Sequence, residues 1–278
     1  MTKLLINGVK DGCVDAADRG LQYGDGLFET MQVREAALPL WPRHWRRLAE
    51  GCRRLGLQGI DEAVMRAEAE EVASGLARGI VKIIVTRGGA GRGYRPSADA
   101  VPARIVARHD WPAHPASRWT EGVAMRVCGT RLGRNPALAG MKHLNRLEQV
   151  LARREWDDAA TAEGLMLDDR SRVISGTMSN VFAVKDRRLL TPAVDECGVA
   201  GVMRGLLLDW TRAEQGPLTL DDLAAADEVF LCNAVIGIWP VRRIEGREYA
   251  AGGVTRGLMG RLVEEGLMDP VVASEGRG

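Results

Sequence analysis

An α+β fold in two parts is the class this sequence predicts, and three observations predict it. Strand and helix patterns follow one another irregularly, without the βαβ alternation of a doubly wound sheet. The length of 278 residues can bury two cores. The segment His109-Asp110-Trp111-Pro112-Ala113-His114-Pro115-Ala116-Ser117, with two prolines among short polar residues, reads as a linker. The expected division is a smaller N-terminal α+β domain over 1–110, a linker over 111–117, and a larger C-terminal α+β domain over 118–278 that carries Lys142.

In chain order, Lys3 to Val9 reads as a first strand with a turn, and Leu27 to Val33 as a second strand. Apolar recurrence at three and four predicts helices over His44 to Leu55 and Asp61 to Ala77. The β-branched run Val81-Lys82-Ile83-Ile84-Val85-Thr86 is a strand that enters the glycine-rich stretch Arg87 to Tyr94, and Val101 to Ala107 is the next strand. In the second half, Val123 to Val127 is a strand and Lys142 to Glu155 a helix. Gly164 to Leu167 and Val173 to Val184 are strands joined by Asp168-Asp169-Arg170-Ser171. A helix runs from about Met203 to Ala213. Glu228 to Cys232 and Ile236 to Val241 are strands, Gly252-Gly253 marks a turn, and Val254 to Glu265 is the last helix.

A net charge of +1, with acidic and basic residues interleaved, excludes a polyanion-binding stripe. No apolar run approaches the roughly 18 residues of a membrane span. The start, Met1 to Gly8, turns polar too soon for a signal peptide. Five widely spaced cysteines with no CxxC pair imply neither zinc nor a disulfide framework, so a reducing cytoplasm is expected.

Lysine is scarce: the only ones are Lys3, Lys10, Lys82, Lys142 and Lys185, and nearly all other positive charge is arginine. Arginine stays protonated in proteins, whereas lysine can serve as nucleophile or base when its surroundings lower its pKa. Lys142 follows the loop Arg131 to Gly140 and precedes an apolar run, a setting at the mouth of a helix that a cofactor could reach. Gly198-Val199-Ala200-Gly201-Val202-Met203-Arg204 precedes another helix, where the N–H groups of Val202 and Met203 could receive a phosphate; an ordinary glycine turn would look the same. Arg47, at the start of a helix, could grip phosphate in bidentate fashion or lie solvated. The arginines of Arg87 to Tyr94 suit capture of a carboxylate, or belong to a surface hairpin. Ser175-Gly176-Thr177-Met178-Ser179-Asn180 could surround a polar ligand or form a bulged edge. His143 has no acidic neighbour in sequence and reads as structural.

Taken together and in order, these pieces resemble the fold-type IV pyridoxal-phosphate enzymes, which include D-amino-acid and branched-chain aminotransferases and 4-amino-4-deoxychorismate lyase. The resemblance runs through Asp18-Arg19-Gly20-Leu21-Gln22-Tyr23-Gly24-Asp25-Gly26-Leu27-Phe28-Glu29, His44-x-x-Arg47-Leu48, the Lys142 segment, Gly176 to Phe182, and Gly201-Val202-Met203-Arg204. It covers essentially the whole chain. Gly91-Arg92-Gly93-Tyr94 and Lys142 to Glu148 look like the aminodeoxychorismate lyase branch.

The resemblance implies a homodimer of two-domain α+β chains with pyridoxal 5'-phosphate between the domains. It implies that Lys142 forms the Schiff base and shuttles protons. It implies that Arg47 and the N–H groups of Val202 and Met203 hold the phosphate, and that Arg92 and Tyr94 approach the substrate. The implied reaction removes pyruvate from 4-amino-4-deoxychorismate to give the folate precursor 4-aminobenzoate, after an aminodeoxychorismate synthase has made the substrate. No nucleic acid, membrane or metal is implied. The sequence departs from the family at Ser175, where a glutamate normally keeps the pyridine nitrogen protonated. Serine disfavours an aminotransferase, which needs that electron sink, more than a lyase driven by aromatisation. The alternatives are an aminotransferase of the same fold and a catalytically silent, cofactor-binding homologue.

Overall fold

Alternating burial builds the first sheet. Its elements are β1 (Leu4–Ile6), β2 (Val9–Lys10), α1 (Arg19–Tyr23), β3 (Gly26–Arg34), α2 (Trp41–Leu55), α3 (Glu62–Ala73), β4 (Arg78–Thr86) and β5 (Ala103–His109). β1 and β2 form a hairpin through Asn7 and Gly8, whose φ of 51° and 79° suit the tight turn that matches strand twist. The five strands are antiparallel in the order β2-β1-β5-β4-β3. α2 begins at Trp41, three residues before its expected start, because Pro42 presets the first-turn backbone. α3 starts at the Asp61 cap, whose carboxylate accepts from Val64 N–H, and ends at Ala73 before Ser74 and the left-handed Gly75.

The computed structural model describes residues 3–89 and 93–270. Its chain falls into two units: 1–112 with 141–145, and 113–140 with 146–278. The sequence reading assigned Lys142 to the C-terminal domain and to a helix over 142–155. Instead Met141–Asn145 counts with the first unit, and α5 covers only Leu147–Arg153. The reason is hydrogen bonding. Phe28 N–H donates to the Lys142 carbonyl (2.9 Å) and Leu144 N–H to the Gly26 carbonyl (3.0 Å), so this backbone is drawn onto β3 and cannot also make helical bonds.

The second unit holds α4 (Ser117–Thr120), β6 (Val123–Leu132), α5, β7 (Thr161–Asp168), β8 (Val173–Gly176), β9 (Asn180–Lys185), β10 (Arg188–Pro192), α6 (Val202–Trp210), β11 (Glu214–Gly216), α7 (Leu220–Ala224), β12 (Glu228–Asn233), β13 (Gly237–Ile244), β14 (Arg247–Glu248) and α8 (Gly253–Glu264). Its sheet runs β11-β10-β9-β12-β13-β6-β7-β8, with β14 on β13, and is mixed: β10–β11, β13–β6 and β6–β7 pair in parallel. One core packs Leu165, Leu167, Val181, Leu231 and Trp239; another packs Cys128, Met166, Ile174 and Cys197. The elements that the periodicity missed are five residues or shorter, too short to show a period.

Candidate active site

In the first unit, β3 presents Leu27, Glu29, Met31 and Val33 on one buried face. α2 covers that face closely: a Cβ on Gly51 would lie 2.8 Å from Leu27 Cδ1. Glu29 is a carboxylate in the middle of this apolar layer, so it must be paired. Arg47 Nε donates to Glu29 Oε1 (2.8 Å) and Arg47 Nη2 to Oε2 (2.5 Å), while His44 Nδ1 lies 2.6 Å from Oε2. Burial by itself would raise the Glu29 carboxyl, but Arg47 and His44 outweigh it and hold the group down at about 2. Burial depresses the His44 imidazole more than Glu29 raises it, so the ring is neutral at pH 7. A neutral ring beside an ionised carboxylate carries its proton on Nδ1 and donates it to Glu29.

The neighbouring residue, Phe28, is the floor beneath Lys142. β3 is the edge of its sheet, and residues 142–144 occupy that edge, with His143 bridging Leu27. Asn145 Nδ2 adds a bond to the Gly24 carbonyl (3.2 Å). Lys142 Nζ sits 4.3 Å from the centre of the Phe28 ring, and Lys82 Nζ lies 5.4 Å from the same ring.

The glycine-rich loop after β4 is anchored rather than loose at its start. Arg87, read from sequence as a carboxylate-capturing group, is buried; it is held bidentately by Asp25 (2.7 and 3.0 Å) and donates to the Leu55 and Gly56 carbonyls that end α2. Arg19 bonds the same Asp25 and donates to the carbonyls of Gly93 (2.6 Å) and Tyr94 (2.8 Å). The Tyr94 side chain is 86% exposed and meets Tyr23 at 5.5 Å. Arg92 lies outside the described residues.

In the second unit, Ser175 is buried on β8 opposite Met166, whereas Gly176 pairs with Leu165. Glu163, two residues before Leu165, shares the Gly176 face: a Cβ on Gly176 would lie 2.9 Å from Glu163 Oε2. The two sides of a strand alternate, so Ser175 points to the other face. Glu163 is buried, accepting from the N–H groups of Gly164, Thr177 and Met178 and the hydroxyls of Thr177 and Ser179. It holds the turn between β8 and β9.

That turn leads to Asn180, whose Nδ2 donates to the Val199 carbonyl (2.9 Å) just ahead of α6. Gly201 is the N-cap of α6 and supplies no side-chain cap; any Cβ there would collide with Asn180 Oδ1. The first turn of α6, with Val202 and Met203, thus has no side-chain cap, and an uncapped helix N-terminus can receive a phosphate. On the other side of this loop, Ile174, next to Ser175, packs where a Cβ on Gly198 would come within 2.8 Å. The second unit thus brings the Ser175 strand and the α6 terminus to one loop.

Sequence reasoning named Lys142, Arg47, Ser175, Val202 and Met203 as candidates and gave no role of their own to Glu29, His44, Glu163 and Lys82. A signal was present: Glu29 and Lys82 each interrupt a strongly apolar strand.

This fold and these residues define a class. The chain matches the amino-transferase class IV family over residues 26–244 and belongs to it. It is 37% identical to an aminodeoxychorismate lyase of Vibrio harveyi, over 92% of this chain and 98% of that protein. The crystal structure of 4-amino-4-deoxychorismate lyase from Pseudomonas aeruginosa superposes with a TM-score of 0.91 at 47% identity, covering 94% of this chain and 98% of that one. A putative branched-chain-amino-acid aminotransferase of Methanocaldococcus jannaschii is 30% identical over 88% of each chain.

The family's cofactor is pyridoxal 5'-phosphate, and each unit by itself carries groups of a kind that fits it: in the first a lysine amine on an aromatic floor, in the second an α6 terminus without a side-chain cap. Arg47 turns its Nε–Nη2 edge to Glu29, so a grip on phosphate would use the Nη1 side of the guanidinium. Arg47→Ala should still weaken cofactor binding by about ten- to a hundredfold, the worth of a hydrogen bond to a charged group. Equilibrium dialysis would check this; an unchanged dissociation constant would leave Arg47 only as the partner of Glu29.

Proposed function

We propose that this protein is a pyridoxal 5'-phosphate-dependent lyase that converts 4-amino-4-deoxychorismate to 4-aminobenzoate and pyruvate. The observation that carries the choice within the family is near-full-length similarity to lyases at 47% and 37% identity, against 30% for the aminotransferase relative. Ser175 supports it, since a neutral residue suits a reaction pulled forward by aromatisation.

The bound cofactor supplies an electron sink for the carbon that bears the substrate's amine. Lys142 holds the cofactor covalently until substrate arrives, and its freed Nζ then takes the proton from that carbon as a general base. The bond between the ring carbon and the ether oxygen breaks, the oxygen leaves with pyruvate as the enolpyruvyl methylene gains a proton, and the ring becomes aromatic. Arg47 and the N–H groups of Val202 and Met203 hold the phosphate, Ser175 lies at the pyridine nitrogen, and Arg92 and Tyr94 approach the substrate. The protein acts as a homodimer in the cytoplasm, on the product of an aminodeoxychorismate synthase. Exposed Leu147 and Val150 on one face of α5 support the dimer, and five cysteines without a disulfide support a reducing compartment.

The test is 4-aminobenzoate formation by purified holoprotein from chorismate and an aminating synthase. Turnover that needs a keto acid and yields no 4-aminobenzoate would make the protein an aminotransferase; no turnover of either kind would make it a silent homologue. Ser175→Glu should raise transamination of amino acids and shift the cofactor's absorbance, because a carboxylate there would stabilise a protonated ring nitrogen. Thermal melts must accompany this larger side chain in a filled site. A folded, cofactor-loaded variant with unchanged spectrum and transamination would remove Ser175 from the ring nitrogen.

A further inference from the structure

Two of the five lysines converge on one aromatic ring. Lys82 stands on β4, an interior strand, in register with Thr30 on β3 and Ala107 on β5. Phe28 and Ile84 form the adjacent pair on the same face. This face is only partly buried: Phe28, Thr30, Ile80, Lys82, Ile84 and Ile105 are all of intermediate exposure. Lys82 therefore places an ammonium group in the middle of a half-open apolar surface. Among the described residues its side chain makes no ion pair and no hydrogen bond, and its one contact of note is Phe28 at 5.4 Å.

That contact does not explain the lysine. A cation over a phenyl ring is worth only about 0.5–1 kcal/mol where solvent can reach it, and a partly buried ammonium loses hydration to get there. The four other exits from this cost are absent: the buried acids Asp18, Glu29 and Glu68 and the half-buried Asp25 are bonded to Thr86, to Arg47 and His44, to Arg104, and to Arg19 and Arg87. Lys142 Nζ is 4.3 Å from the same ring centre, so the two amines are within roughly 10 Å, a range over which charges are felt. A carboxylate that reached Lys142 through a neighbouring amine would find Lys82 as the unengaged cation.

We infer that Lys82 binds a carboxylate of the dianionic substrate and so selects dicarboxylates at the Lys142 site. The inference rests on the function proposed above and adds a residue to it. An apolar floor (Phe28 and Ile84) beside a single cation suits a flat, partly unsaturated ring bearing an acid group.

The experiment uses holoprotein and three variants. Lys82→Met keeps the stem and removes the charge; Lys82→Arg keeps the charge; Lys185→Arg, at an exposed turn, is the control. For Lys82→Met, KM for 4-amino-4-deoxychorismate should rise about ten- to a hundredfold, with kcat changed less than about threefold. The dissociation constant of chorismate, which has both carboxylates and no amine, should rise by the same factor in calorimetry. Added salt should raise the parental KM more steeply than that of the variant. Lys82→Arg should recover most of the affinity. A KM and a chorismate affinity within about twofold of parent in Lys82→Met would overturn the assignment. So would a loss confined to kcat. If Lys82→Met does not melt cooperatively, Lys82→Gln takes its place. Should the parent itself neither form 4-aminobenzoate nor bind chorismate, the proposed function fails and this inference with it; an active parent with an indifferent Lys82 sinks the inference alone.

Discussion

Lys142→Ala is expected to lower turnover by at least about a thousandfold, in keeping with the loss of a positioned general base, and to abolish covalent attachment of the cofactor. The structure gives the reason that no neighbour substitutes. Lys142 reaches its place because residues 142–144 hydrogen-bond to the edge of β3, which sets its Nζ 4.3 Å from the Phe28 ring. Lys82 approaches the same ring from a different strand, β4, at 5.4 Å from its centre. Lys142→Arg should fail as badly, because a guanidinium keeps its proton. The checks are steady-state rates and the visible absorbance of the purified protein, with borohydride to trap any covalent link. Lys185→Arg should match the parent. Substantial activity in either Lys142 variant would remove it from the chemistry.

Glu29→Gln is expected to be the most destabilising single change near the site. It leaves the Arg47 guanidinium and the buried His44 without the carboxylate that both contact. Breaking a buried ion pair from one side costs about 3–5 kcal/mol, which lowers the melting temperature by roughly 6–20 °C in a chain of this size. The acid limb should change as well. Glu29 has a folded pKa of about 2 against an ordinary 4.5, so its contribution is complete above pH 4.5 and is lost as pH falls toward 2. His44, depressed from its ordinary 6.5, adds a loss that begins at higher pH, as the unfolded chain takes up a proton that the folded chain resists. Glu29→Gln should keep the His44 part and lose the part below pH 4.5, giving a flatter acid limb. Melts at pH 7, 4.5 and 3 would show it. A variant with parental melting temperature and parental acid slope would mean that the buried triad is not what holds α2 on β3.

Much of this protein is written locally. The β-branched run of β4, the alternation in β3 and the three-and-four recurrence in α2 and α3 are properties of consecutive residues, and each became the element it predicted. The same is true of Gly201 before α6, since a bare N-terminus needs only a glycine and a helix start. The ordered motifs were enough to name the family. What the sequence could not determine was which distant side chains meet. Lys142 was read into a helix because its apolar neighbours carry a helical period, but the unpaired edge of β3 competes for the same backbone groups and takes them. Glu29 and His44 are fifteen residues apart and Lys82 and Phe28 are farther; their meeting depends on strand register and on how α2 lies across the sheet. Register also decides that Glu163 and Ser175 point to opposite faces, since a slip of one residue would reverse every side chain. Backbone period is a local property and is therefore fixed by neighbours in sequence, whereas the pairing of buried charges is settled only when sheets and helices close on one another and leave each charge the partners that geometry allows.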